Sequence, residues 1–354
     1  MSGHPKLLIT GGSGFIGSHF VRLCLHKGYQ VLNLDALTYA ASQDTLQDCA
    51  HHPLYHFQKG LIQDPDFICS LLATFKPTAI VNFAAETHVD RSIDSPAPFI
   101  ESNIRGSFIL ADESRSYYNK LSNDEKENFR FLHISTDEVF GSCPHDPYTE
   151  EAAYNPSSPY AASKAAADLV LKSYYHTYAF PLLITNCTNN YGPFQFPEKL
   201  IPLMIIRACA GQSLPLYGTG MQVRDWLYVE DHVEAILHVL QNGKLGNTYN
   251  IAGLKGEISN KVVVEEICAI LDALQPRTPQ ASYRDLTTYV IDRPGHDFRY
   301  ALDVSKIARE LGWQPKTSFK EGLTKTVMWY LENRSWWEAI QGRGFQPHRL
   351  GLIK

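Results

Sequence analysis

The chain has 354 residues, is 44% hydrophobic and 19% charged, and carries a formal net charge of -5. This composition belongs to a globular protein with one large core or two fused ones, and it excludes a disordered chain. The mild acidity removes a general nucleic-acid footprint, so a phosphate-bearing ligand must be met by a few local Arg and Lys side chains.

The strand-like run Lys6–Thr10 begins within a few residues of Met1, so no signal peptide is expected. The longest apolar stretches, such as Leu200–Ile206, are far too short for a membrane span. Seven cysteines, Cys24, Cys49, Cys69, Cys143, Cys187, Cys209 and Cys268, are widely spaced with no C-x-x-C pair. Free thiols in a reducing compartment are expected, without disulfides or zinc. The fourteen histidines are scattered and form no H-E-x-x-H, so no metal is expected. The expectation is a cytoplasmic protein with no membrane partner.

Short apolar runs at Leu7–Thr10, Val31–Leu34, Tyr55–Gln58, Ala79–Phe83, Phe131–Ile134 and Leu182–Thr185 read as strands. Between them Ser13–Lys27, Asp64–Phe75 and Pro96–Lys120 are long enough for crossover helices, and Ser163–Tyr178 has a helical pattern. Ser122–Asn128 is polar and reads as a solvated loop. This alternation predicts an α/β fold with a doubly wound parallel sheet covered on both faces. The rhythm breaks near Gly192, where Pro193, Pro197 and Pro202 follow in quick succession. Beyond it, strands at Pro215–Tyr217, Trp226–Val229 and Thr248–Ile251 mix with helices at Asp231–Gln241, Asn260–Leu274, Ser305–Leu311 and Phe319–Asn333. We read residues 1–190 as one domain and 191–354 as mainly a smaller lobe at the carboxyl ends of the strands, with some segments returning to the first. From Glu338 onward no periodicity assigns a structure.

Gly11-Gly12-Ser13-Gly14-Phe15-Ile16-Gly17 follows the first strand and opens a helix. Its G-x-x-G-x-x-G spacing lets the backbone turn tightly and approach a pyrophosphate at a helix N-terminus. Asp35 ends the second strand about twenty residues on, where a carboxylate accepts hydrogen bonds from ribose hydroxyls and repels a 2′-phosphate. NAD is therefore expected over NADP. Tyr160 and Lys164 lie one helical turn apart, about 6 Å along the axis. An ammonium so placed favours phenolate, giving a base for a hydroxyl proton. Taken alone, the pair also fits an ordinary surface helix.

The glycine run and the Tyr160–Lys164 pair in one chain resemble the extended short-chain dehydrogenase/reductase family (NAD-dependent epimerases and dehydratases), nearly end to end. That resemblance implies a Rossmann sheet with a smaller α/β carboxyl-terminal substrate lobe. The run Ser135-Thr136-Asp137-Glu138-Val139-Phe140-Gly141 narrows it. Epimerases of nucleotide sugars usually carry small residues where Asp137 and Glu138 stand; adjacent carboxyls look like the nucleotide-sugar 4,6-dehydratases. The implied chemistry is oxidation at C4 of the hexose, removal of the C5 proton by Glu138 and proton delivery by a neutral Asp137 to the departing C6 hydroxyl. Hydride then returns to C6. Thr136 would hold the C4 oxygen beside Tyr160.

By the same resemblance, Gly11, Gly12, Gly14, Phe15, Ile16, Gly17, Asp35, Ala36, Leu37, Thr38, Leu61, Ile62, Ala84, Ala85, Thr87, Ser102, Tyr160, Lys164 and Asn189 line the cofactor. Thr87, His88 and Thr136 face the sugar, Asn190 and Lys199 the diphosphate and Leu200 the base. Pro215 and Tyr217 flank the base, and Arg224, Asn260, Arg293 and His296 complete the substrate set. Arginine forks suit phosphate oxygens, the local charge that the acidic composition requires. The implied substrate is a thymidine-diphosphate hexose, with a UDP- or GDP-sugar dehydratase or epimerase, or a non-catalytic NAD-binding protein, as the alternatives. The sequence departs from the family pattern at Leu61, usually Asp, and at Asn186 and Phe298, each usually Arg. Asn260 fits only with one extra residue before it. A homodimer through Pro96–Lys120 and Ser158–Tyr178 is also implied.

Overall fold

A computed structural model describes residues 4–254, 257–277 and 280–342. Seven strands form one parallel sheet: β1 (Lys6–Thr10), β2 (Gln30–Asp35), β3 (Tyr55–Lys59), β4 (Ala79–Asn82), β5 (Arg130–Thr136), β6 (Leu182–Cys187) and β10 (Thr248–Ile251). Their order is β10-β6-β5-β4-β1-β2-β3, and the order in which the chain adds strands reverses at β1, between β4 and β2, with every pair parallel. Near-continuous apolar runs such as Leu7–Ile9 are buried because helices cover both faces.

The crossover helices are α1 (Phe15–His26), α2 (Pro65–Phe75), α3 (Val89–Asp94), α4 (Ala97–Phe99), α5 (Ser107–Asn119), α6 (Asn123–Asn128) and α7 (Pro159–Tyr178). The Pro96–Lys120 run is not one helix. A π-helical turn at Ile100–Gly106 separates α4 from α5 and turns Asn103 inward, where its amide bonds both the N–H and the carbonyl of Glu86 and the Ser163 hydroxyl. The Ser122–Asn128 loop reading is corrected as well. Ser122 accepts the Glu125 N–H while the Glu125 carboxylate accepts the Ser122 N–H at 2.9 Å, a capping box that closes a helical turn despite full exposure.

Past β7 (Asn189–Tyr191) the chain builds α8 (Leu200–Cys209), β8 (Leu214–Tyr217), β9 (Val223–Tyr228), α9 (Val229–Asn242), β11 (Glu257–Ser259), α10 (Asn260–Leu274), β12 (Thr287–Val290), α11 (Ser305–Leu311), α12 (Phe319–Glu332) and α13 (Arg334–Gly342). Three strands pair as β11-β9-β7 and two as β12-β8, around a second core with Tyr191, Ile205, Trp226, Ile267 and Leu323. The later elements divide between the two cores. β10 lies on the edge of the large sheet, Thr248 opposite Ile184, and Ile236 of α9 and Ile307 of α11 pack into the core beneath it. Helix α13 covers Arg334–Gly342 and so includes the start, Glu338–Gly342, of the tail for which periodicity gave no assignment; the rest of that tail lies outside the described residues.

Candidate active site

The site lies at the carboxyl ends of β1, β4 and β5, where the sheet order reverses. Gly11 has φ 72°, and a Cβ there would come within 2.7 Å of the Ala84 nitrogen. A Cβ on Gly17 would approach the Gly11 carbonyl oxygen to 2.3 Å, so the first turn of α1 can press on the loop only without side chains. Asp35, buried at the end of β2, accepts the Ser13 N–H at 2.9 Å and the Leu37 N–H at 2.7 Å. Burial pushes its carboxyl up and those two N–H groups pull it back. A glycine cradle opening onto a helix N-terminus, with a carboxylate at the next strand end, fits a dinucleotide.

A cavity of about 470 Å³ joins these parts. Its wall carries Gly11, Gly14, Phe15, Ile16, Gly17, Asp35, Ala36 and Thr38, with Leu61, Ile62, Ala84, Ala85, Thr87 and Ser102. Thr136, Asp137, Glu138, Tyr160, Lys164, Asn189, Asn190 and Lys199 line the same cavity. Gly12 is off this wall, under the Asn33 side chain, and Leu37 (φ 53°) faces a neighbouring cavity of about 330 Å³ bordered by Phe194 and Trp336.

Thr136 ends β5 and caps the short 3₁₀ turn Asp137–Phe140, accepting the Glu138 N–H and donating to Asp137 Oδ1 at 3.1 Å. The two carboxyls titrate differently. Burial, reinforced by Glu138, pushes Asp137 well up; its Oδ2 has no partner. Burial also raises Glu138, but Arg293, Arg224 and Lys199 pull it back. A neutral Asp137 beside an ionisable Glu138 is the split that acid and base partners need.

Tyr160 lies in the first turn of α7, which Ser158 caps and which starts four residues before the expected Ser163. Lys164 follows one turn later, but the expected depression of the phenol is corrected by the structure. Burial pushes Tyr160 well up, Glu138 and Cys187 push the same way, and the Thr136 hydroxyl pulls back. The reason is geometric: Lys164 Nζ is turned into β5, donating to the Ile134 carbonyl at 2.7 Å, with His133 Nε2 3.2 Å away. Burial lowers Lys164 in turn.

Of the remaining substrate candidates, Lys199, Arg224 and Arg293 act on Glu138 from the segment after β7; the others, apart from Asn190, are off the cavity wall and are held by the contacts that follow. Lys199 reaches back to donate to the Thr87 carbonyl at 2.9 Å. Arg293 and Tyr217 meet Asp90 at 2.6 and 3.0 Å, and the His296 ring stands edge-on to Tyr217. Arg224 is buried over the Tyr300 ring at 4.3 Å, and its N–H groups bond the carbonyls of Val223, Asp297 and Phe298. His88 caps α3, its Nε2 lying 3.5 Å from Glu198 Oε2. Asn190 Oδ1 accepts from His232 Nδ1 at 2.8 Å; burial pulls this imidazole down to about 3, so it is neutral and holds the amide in one orientation. Asn260 starts α10 and is connected through Gln222 and Asp292 to His296. Pro215 pairs with Thr288, and Leu200 packs on the small-lobe core.

Sequence reasoning missed Glu86 and Glu198, which also line the cavity, and Tyr39, whose hydroxyl donates to Glu198 Oε1 at 2.8 Å. Each lies inside or beside a run singled out for other residues, and no local spacing signals the contacts. Asn186 donates to the Thr136 carbonyl, which gives the unusual asparagine a structural task. Among the described residues no cluster of His, Cys, Asp and Glu could hold a metal ion, the seven cysteines are free, and no helix is long and apolar enough to cross a membrane.

A family model described as GDP-mannose 4,6 dehydratase matches residues 8–326. The chain is 48% identical to the dTDP-glucose 4,6-dehydratase of Escherichia coli over 362 aligned positions, covering 99% of this chain and all of that one. Among solved structures it resembles the dTDP-glucose 4,6-dehydratase of Streptomyces venezuelae, which has NAD bound (43% identity, TM-score 0.86, 95% of this chain and 99% of that one). The NAD complex of the Bacillus anthracis dTDP-glucose 4,6-dehydratase is also similar, at 41% identity and TM-score 0.84, with 95% and 99% covered.

Proposed function

The chain belongs to the GDP-mannose 4,6 dehydratase family, and on that premise we propose that it converts dTDP-glucose to dTDP-4-keto-6-deoxyglucose and water. The observation that carries this reading is the Asp137–Glu138 pair facing the cavity beside Tyr160, the first carboxyl pushed well up by burial and by Glu138 and the second raised less freely because Arg293 and Arg224 pull it back.

NAD fits the glycine cradle and Asp35; when bound, it supplies the hydride acceptor for C4 and the donor for C6. Tyr160 accepts the C4 hydroxyl proton as phenolate, with Thr136 holding the same oxygen; burial opposes that ionisation, and the positive charge of a bound nicotinamide would favour it. A C4 ketone acidifies the C5 proton, which Glu138 takes, while Asp137 protonates the C6 hydroxyl as it leaves as water. Glu138 then returns its proton to C5. Lys199, Arg224 and Arg293 offset the diphosphate charge, Asn190 donates a hydrogen bond to it, and Tyr217 stacks near the base. Residues 1–190 act as the cofactor-holding domain and the segment from 191 mainly as the substrate lobe. Exposed Ile100, Phe108 and Leu169 on neighbouring helices support a homodimer, and the free cysteines suit the cytoplasm.

The test is a product assay: purified protein with dTDP-glucose should yield a 4-keto product lighter by one water. Release of dTDP-galactose alone, or faster turnover of UDP-glucose, would overturn the assignment.

A further inference from the structure

Asp90 lies in α3, on the large-lobe side of the cleft, and is buried. Both its oxygens are engaged from the other side. Arg293 Nη1 donates to Oδ1 at 2.6 Å, and the Tyr217 hydroxyl donates to Oδ2 at 3.0 Å. These two partners come from one place in the small lobe: Tyr217 ends β8, opposite Val290 of the adjacent β12, and Arg293 follows in the loop after β12. One carboxylate thus spans the cleft to a cation and a phenol on neighbouring strands.

The contact also orients the guanidinium. With Nη1 held by Asp90, Arg293 keeps a buried Nε with no partner, and its charge acts on Glu138. A flexible arginine would lose rotamer freedom on meeting a diphosphate; one already fixed by a buried carboxylate has lost it before the ligand arrives. The other neighbours of Asp90 in its run, Thr87 and His88, serve the cavity and the cap of α3, while Asp90 makes the crossing to Tyr217 and Arg293.

We propose that Asp90 is a positioning residue for the nucleotide half of the substrate, locking Arg293 and Tyr217 across the cleft so that it governs KM and not the chemical steps. This rests on Arg293 and Tyr217 being nucleotide contacts, as proposed above. Charge alone predicts the opposite sign. Neutralising a carboxylate near a dianion would tighten binding, whereas loss of positioning weakens it.

The experiment measures KM and kcat for dTDP-glucose, Kd for dTDP, and bound NAD in holoenzyme carrying Asp90→Asn, Arg293→Gln, or both. Asp90→Asn should raise KM and the dTDP Kd about tenfold or more, keep kcat within about threefold and leave NAD content unchanged; tenfold corresponds to about 1.4 kcal/mol. In the Arg293→Gln background the same change should add little, because its main partner is gone. Tyr217→Phe, which removes the bond to Asp90 and no charge, should give a smaller rise in KM and keeps the test available if Asp90→Asn folds poorly. Tighter dTDP binding, a loss of kcat at unchanged KM, or additive effects in the double variant would overturn the proposal. If Arg293→Gln itself leaves dTDP binding unchanged, the assignment of Arg293 to the nucleotide fails instead.

Discussion

Asn186 donates through Nδ2 to the main-chain carbonyl of Thr136 at 2.9 Å. Thr136 is the last residue of β5 and caps the turn that presents Asp137 and Glu138, so a fully buried amide on β6 fixes the frame of both carboxyls. The position is one where the family usually carries arginine, yet the hydrogen-bond donor is retained.

Asn186→Ala leaves that carbonyl buried and unpaired, at a cost of about 1–3 kcal/mol. Urea unfolding should show this loss. The turnover number should fall about tenfold, since small displacements of reacting groups are costly. Unchanged turnover with reduced stability would confine Asn186 to the core.

Tyr160→Phe should abolish C4 oxidation, by at least about a hundredfold, together with everything after it. Glu138→Gln should separate the steps. Reduced-nicotinamide absorbance should appear transiently while exchange of the C5 proton with deuterated solvent is suppressed. Normal exchange in that variant would remove Glu138 from its role as base.

The pH dependence follows from the carboxyl pair. Glu138 must be ionised, and burial raises its pKa, so activity is lost on the acid side as pH falls through that value. Asp137 must be protonated, and burial with Glu138 holds it up, so activity is lost on the alkaline side as pH rises through its own value. Arg293 is the largest pull lowering Glu138. Replacing it with Met removes that support and raises the Glu138 pKa, so the acid limb of kcat at saturating substrate should move to higher pH. A limb that stays in place or moves lower would show that Arg293 does not face the ionised base.

Leu169 is 58% exposed on α7, and Phe108 and Ile100 are exposed on the preceding helical run, which packs against α7. A charge there would be buried in a dimer and harmless on a monomer. Leu169→Glu should shift the protein to half its mass in analytical ultracentrifugation with its melting temperature in the monomer otherwise preserved. A wild-type protein that sediments as a monomer would remove the homodimer reading.

What the sequence determined by itself was the set of parts with local periodicity or spacing. The strand and helix alternation, the glycine turn with Asp35, the Asp137–Glu138 pair and the Tyr160–Lys164 turn all appear within a few residues, because backbone sterics and helical pitch act at that range. The short capping box at Ser122 and Glu125 was equally local but overshadowed by polarity. Tertiary structure decided the rest. Lys164 serves Ile134 instead of the phenol because β5 runs behind α7, β10 joins the large sheet because β6 offers it a free edge, and Asp90 meets Arg293 across 203 residues of chain. Which carboxyl stays neutral likewise depends on burial and on charges from distant segments, and those depend on which surfaces come together when the chain folds.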